Sequence, residues 1–214
     1  MNGPRFSRPG DEPGLRELWK RVFGDSDAFL DLFFREIYVP GMAALVEEGG
    51  RIVSAAYCVP FGEARYIYAV ATAPEHRGRG YGKAVTLLAA DGRDAYLCPA
   101  SKELRRWYMD EMGALPASIR PALVPTGVLR PIPAEEYAAR REALLERVPH
   151  AEYSPGILSL FALNGGFFED EAGRIGAADD EGTVHELLPC PPGGQVYLLG
   201  LNGAPPIYWG LTLA

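Results

Sequence analysis

The chain has 214 residues, 48% of them apolar, three cysteines and a formal net charge of −7. That length and apolar content allow one large domain or two small ones with a real core. They exclude a membrane span, since no run of eighteen apolar residues occurs, and a basic nucleic-acid surface. Met1–Gly10 lacks the apolar core of a signal peptide, so a cytoplasmic protein is expected. Cys58, Cys98 and Cys190 are odd in number and far apart, which fits neither a disulfide framework nor a zinc site. The charge is uneven: residues 1–114 hold 15 Lys/Arg against 16 Asp/Glu, and residues 115–214 hold 6 against 12. An acidic C-terminal half favours a cationic amine nearby or simply keeps a surface soluble.

In chain order, a short strand is expected around Arg5–Ser7. Leu15, Leu18, Trp19 and Val22 recur at helical spacing over Pro13–Phe23, with Gly24 as the stop. Asp25-Ser26 can cap a second helix over Asp27–Tyr38, with Phe29, Leu32, Phe33 and Ile37 on one face. Phe33, Phe34 and Tyr38 read as core or as the border of a groove. A meander follows: strands over Met42–Glu47, Arg51–Val59 and Tyr66–Thr72, turning at Glu48-Gly49-Gly50 and Pro60-Phe61-Gly62. Next come a helix over Gly80–Ala90, a strand over Ala95–Cys98 and a helix over Ser101–Met112 closed by Gly113.

Beyond Gly113, prolines 116, 121, 125, 131 and 133 read as a connector. A helix is expected over Ala134–Val148. Strands are expected over Ile157–Leu163, Phe167–Asp170, Arg174–Ala178, Thr183–Leu188, Val196–Leu201 and Ile207–Leu213. Gly50-Arg51-Ile52-Val53-Ser54-Ala55-Ala56 is echoed by Gly173-Arg174-Ile175-Gly176-Ala177-Ala178. Residues 116–214 thus read as a second α/β region, a degenerate partial copy of the first meander. Its own loop, Pro191-Pro192-Gly193-Gly194-Gln195, lacks the glycine spacing of the first, so one cofactor site is expected rather than two.

The most informative stretch is Arg77-Gly78-Arg79-Gly80-Tyr81-Gly82-Lys83, set between a strand and a helix. Glycines let successive backbone N–H groups face one anion, and the helix adds its unpaired N–H groups and positive dipole end. A Walker A loop does not fit: Gly78 is one residue too close to Gly82-Lys83, and Ala84 cannot hold magnesium. The dinucleotide G-x-G-x-x-G fingerprint does not fit either, because these glycines run G-x-G-x-G. The stretch does match R/Q-x-x-G-x-G/A through Arg77, Gly80 and Gly82. It resembles the acetyl-CoA loop of the GCN5-related N-acetyltransferases (GNAT family), strongly over residues 40–113 and more weakly over 1–39.

The resemblance implies a mixed α/β (α+β) fold, with a mostly antiparallel central sheet between helices over residues 1–115 and a smaller β-rich region after it. It implies acetyl-CoA as cofactor. The amides of Gly78, Arg79, Gly80, Tyr81, Gly82 and Lys83 would hold the pyrophosphate, and the Arg77, Arg79 and Lys83 side chains would add charge. Val70, Ala71 and Thr72 would offer backbone groups to the pantetheine arm, in a gap between diverging strands. It implies acyl transfer to an amine of a small molecule or peptide by direct attack.

Tyr108 is the expected acid for the leaving thiolate. It departs from the family pattern: it lies one residue farther from Gly113 than usual, and Ala114 stands where Phe is common. A one-residue helix bulge would restore its aim. No carboxylate lies on Tyr66–Thr72, so the base is open among Glu63, Tyr66, Tyr68 and Glu36. His76 reads as a solvated turn residue and Cys98 as an inert thiol. A non-catalytic acyl-CoA-binding or interaction module is the alternative. The C-terminal strands are free to pair within the chain or across a homodimer.

Overall fold

A computed structural model describes residues 3–120, 123–190 and 195–211. After a two-residue strand β1 (Arg5–Phe6), helix α1 (Glu12–Phe23) and helix α2 (Asp27–Glu36) form where the apolar spacing places them. Gly24 ends α1 at φ +78°, and Ser26 Oγ accepts from the Phe29 amide at 3.2 Å to start α2. The meander follows as β2 (Ala43–Glu48), β3 (Arg51–Phe61) and β4 (Ala64–Thr72). Then come α3 (Tyr81–Ala90), β5 (Ala95–Leu97) and α4 (Lys102–Met112).

Strand alternation splits the core into two layers. Ala43 and Leu45 face one side, with Leu15, Trp19, Phe29, Phe33 and Phe34 of α1 and α2. Ala44 and Val46 face the other, with Val85 and Ala89 of α3 and Tyr108 of α4. Trp19 sits at the centre of the first layer, its ring centroid 4.7 Å from Phe33 and 5.0 Å from Tyr57. Phe33, Phe34 and Tyr38 are core residues.

The C-terminal half departs from expectation in three places. The proline-rich connector contains two strands, β6 (Leu115–Arg120) and β7 (Arg130–Ile132). Pro116 and Pro131 are tolerated there because both strands lie at sheet edges, where an amide donor can be missing. Helix α5 (Ala134–Leu145) is followed by α6 (Pro155–Ala162), a helix where Ile157–Leu163 read as a strand. Ser154 Oγ caps α6 at the Ile157 amide, and Pro155 opens its first turn. The last stretch, Ile207–Leu211, forms one bridge, His150 to Tyr208, rather than a strand; residues 212–214 lie outside the described residues. Strands β8 (Gly165–Glu169), β9 (Ile175–Asp179), β10 (Val184–Leu188) and β11 (Gln195–Leu201) complete the chain.

Two sheets result, one ordered β1-β2-β3-β4-β5-β11-β6 and the other β10-β9-β8-β7. The first sheet does not end at residue 115, the boundary expected between the two regions. Its β11 comes from the far end of the chain and pairs antiparallel with both β5 and β6. Everything from β7 to β10 is therefore inserted between two neighbouring strands. That insert repeats the opening order, β-α-α-β-β-β, and its strands lie in the same antiparallel sequence as β1 to β4. The echoed segments open β3 and β9. Residues 191–194, which hold most of the second loop, lie outside the described residues. Helix α6 seats Gly156 against α2, where an added Cβ would stand 2.8 Å from the Glu36 carbonyl oxygen. Among the described residues, no helix is long and apolar enough to cross a membrane.

Candidate active site

Strand β4 bends at a bulge. Ala71 pairs with Ala55 and Tyr68 with Tyr57, so Ala69 and Val70 together face Ala56 alone. Ala69 adopts φ +47°, left-handed for an alanine. Beyond the bulge the strand turns away from β5. Among the described residues, β4 and β5 share a single register pair, Tyr66 with Tyr96.

A cleft of about 380 Å³ opens in that gap. The bulge residues Ala69 and Val70 line it from β4. Trp19, Phe23 and Asp25 border it from α1 and the following turn, Leu97 from the end of β5, residues 98–100 from the loop after it, and Leu104 and Tyr108 from α4. Of the three β4 residues expected to offer backbone groups, Val70 lines the cleft. Ala71 and Thr72 do not: their carbonyls accept from Ser54 Oγ at 2.8 Å and Arg77 Nε at 3.2 Å.

The glycine turn follows directly. Pro74–His76 makes a short 3₁₀ turn, and Gly78 and Gly80 take φ of +74° and +79°. Backbone conformation requires glycine at both positions. A Cβ built on either would meet nothing within 4 Å, so open space lies over the turn. Gly82 is different: its Cβ would make an ordinary 3.5 Å contact with Thr72 Oγ1. No side chain caps α3, and the first amide to bond back into the helix is Ala84, to the Gly80 carbonyl at 3.0 Å. The preceding N–H groups of Tyr81, Gly82 and Lys83 thus form an uncapped positive helix end facing free space. These observations fit a bound diphosphate.

Arg79, His76 and Lys83 are balanced by two carboxylates, whereas Arg77 donates to the Thr72 carbonyl. Glu48 takes Arg79 Nη1 at 3.3 Å and His76 Nε2 at 3.3 Å, and it accepts from the Tyr81 hydroxyl. That hydroxyl, with Arg79 and His76, holds the Glu48 carboxyl below its usual range. Lys83 Nζ lies 3.2 Å from Glu111. His76 is therefore not the solvated turn residue expected, because Glu48 draws it against the sheet end.

Helix α4 carries no bulge. The Ala114 amide bonds to the Tyr108 carbonyl and the Gly113 amide to that of Met109, both at 3.2 Å, with Gly113 at φ +66°. Tyr108 lines the cleft all the same, 6% exposed, its ring edge against Trp107. Burial pushes its phenol up to about 12, opposed by a hydrogen bond with Thr86. The candidates for a base separate. Tyr66 and Tyr68 line the cleft, and burial raises the Tyr68 phenol further, with Asp25 adding to the effect. Glu63 is exposed in the β3–β4 turn, and Glu36 pairs with Arg35 beside α6. Neither borders the cleft. Asp25, which the sequence offered only as a cap, does. Its position became visible once the cleft had walls.

Residues 4–91 match the family model described as acetyltransferase (GNAT) domain. No curated protein matches the chain in sequence. Among solved structures, it is similar to a GCN5-related N-acetyltransferase from Anabaena variabilis, with TM-score 0.58 and 14% identity over 86% of this chain and 57% of that one. It is also similar to Eis1 from Mycobacterium abscessus, with TM-score 0.56 and 16% identity over 87% and 59%. A GCN5-related N-acetyltransferase from Kribbella flavida gives TM-score 0.52 and 19% identity over 86% and 56%. The chain thus spans well under two thirds of each of these relatives, and the likeness is one of fold. The loop, the bulged strand and most of the mixed sheet's opening strands lie within residues 4–91, the stretch that matches the GNAT acetyltransferase domain model, and the fold agrees with that match.

Proposed function

We propose that the chain is an acetyl-CoA-dependent N-acetyltransferase acting on an amine of a small molecule or peptide. One observation carries the reading: the uncapped N-terminus of α3, under open space, stands beside a gap between β4 and β5. The amides of Gly78 to Lys83 hold the diphosphate, and Arg77, Arg79 and Lys83 add charge once drawn from their present partners. The arm of the cofactor lies along the bulged edge at Val70. Bound there, acetyl-CoA supplies an activated thioester carbonyl.

The protein's own groups then have defined tasks. A backbone N–H near Val70 faces the charge that develops on the carbonyl oxygen. Tyr108 gives a proton to the departing sulfur and is reprotonated from solvent, which takes up the proton the amine nitrogen sheds as the amide bond forms and the thioester bond breaks. With its phenol pushed up to about 12, it is in the protonated, donating form at neutral pH. Trp19, Phe23 and Leu104 give the cleft apolar walls.

The test is calorimetric titration with acetyl-CoA, together with thiol release across a panel of amines. Gly80→Val puts a β-branched residue at φ +79° and should abolish measurable binding. Unchanged affinity in that variant would remove the diphosphate site. Binding without thiol release from any amine would leave a non-catalytic acyl-CoA-binding module, a reading favoured by the absence of a carboxylate on β4.

A further inference from the structure

The cleft is walled by aromatic, aliphatic and small residues, and Asp25 is the single ionisable carboxylate among its lining. Its position is built. The Trp19 indole, 2% exposed and wedged among Phe29, Phe33, Phe34 and Tyr57, donates from Nε1 to Asp25 Oδ2 at 2.7 Å. That bond occupies one oxygen. Among the described residues no cation comes within ion-pair distance of Asp25, although most acidic side chains nearby are paired. Asp27 has Lys20, Asp31 has Arg16 and Glu75 has Arg21. A carboxylate left without a cation at the mouth of a mostly apolar cleft is matched by a cationic ligand.

Resting on the acetyltransferase reading, we infer that Asp25 selects acceptors with two basic centres, holding the ammonium that does not react. The protonation chemistry separates the two nitrogens. A carboxylate beside an ammonium stabilises its charged form, and a charged nitrogen has no lone pair with which to attack a carbonyl. The nitrogen that Asp25 holds is therefore not the nucleophile. The second, uncharged nitrogen reaches the bulge at Val70, and the pair fixes the acceptor across the cleft. Trp19 is a positioning residue: it acts by orienting the carboxylate. The net charge of −7 favours encounter with such a cation.

The experiment compares 1,4-diaminobutane with 1-aminobutane, on wild type and on Asp25→Asn. The amide keeps the size of the side chain and an oxygen for Trp19. Calorimetry on the CoA-loaded protein should show the diamine binding more tightly than the monoamine in wild type. Asp25→Asn should cut that preference by about 10- to 100-fold, the range of a lost charged hydrogen bond. The ratio of kcat/KM values for the two amines should fall in parallel. A diamine that binds no better than the monoamine in wild type overturns the inference, whatever the variant does. So does a preference that survives the substitution. Asp25-dependent diamine binding with no thiol release would sink the acetyltransferase reading and leave this one standing; thiol release with no diamine preference would do the reverse.

Discussion

The two β-α-α-β-β-β units of this molecule share a frame and fill it differently. Trp19 is the eighth residue of α1, and Arg141 is the eighth of α5. Each is fully buried at the heart of its own unit. Around Trp19 the first unit gathers aromatic rings. Around Arg141 the second gathers Glu186, whose oxygens lie 3.1 Å from Arg141 Nε, and Tyr137, which donates to the same carboxylate. The Tyr153 ring lies 3.8 Å under the guanidinium. The units also diverge after their last strand. The first leads into a glycine turn and the uncapped end of α3, whereas the second sends its chain back into the other sheet as β11. Strand order alone therefore makes no site. A bulge set beside a departing neighbour strand and a bare helix end does; the second unit has a bulge too, between Val184 and Glu186, but its chain goes on to β11 rather than to a helix.

Three single substitutions and one paired change test this contrast. Glu186→Ala should have the largest effect, because it removes the buried partner of Arg141 and leaves only the half-exposed Glu142, 2.9 Å from Nη1, beside the charge. A loss of about 3–5 kcal/mol is expected in urea unfolding. The paired change Arg141→Met with Glu186→Leu should recover most of it, showing that an apolar filling like that around Trp19 also suits this frame. A single variant that unfolds like wild type would mean the two interiors differ less than their residues do. Next, Tyr108→Phe should lower turnover by about 10²-fold with little change in acetyl-CoA affinity. Full turnover in that variant would take Tyr108 out of the chemistry and return it to the core of the first unit. The smallest effect is expected from Glu48→Gln. It frees Arg79 and His76, so acetyl-CoA should bind up to about fivefold more tightly at low salt, and the gain should fade as salt rises. An affinity indifferent to both the substitution and the salt would show that Glu48 does not restrain the turn.

How much of this could be read from residues alone depends on range. Caps and stops are local, and Ser26, Ser101, Gly24 and Gly113 all serve as their neighbours indicate. The glycine turn is local too: Gly78 and Gly80 take the left-handed φ that glycine favours. The run Ile157–Leu163 misled because an unbroken apolar stretch has no period, and Ser154-Pro155 was the better signal. Pro116 and Pro131 misled because a proline marks a break unless the strand has a free edge, and edges exist only in the finished sheet. In the sequence, Asp25 shows only a capping role. Its significance comes from Leu104 and Cys98, far along the chain, which close the cleft beside it.

The place of β11 also bears on how the molecule comes into being. Residues 121–194 separate it from β6, its antiparallel neighbour. On a ribosome, the inner edge of β5 would emerge long before the strand that covers it. The nascent chain must carry bare backbone donors and acceptors while an entire second unit is made, and the entropy of closing that long interval is lost only once β11 has emerged. A gene cut anywhere inside the insert would strand those groups in water. Assembly of the first sheet thus waits on the translation of β11.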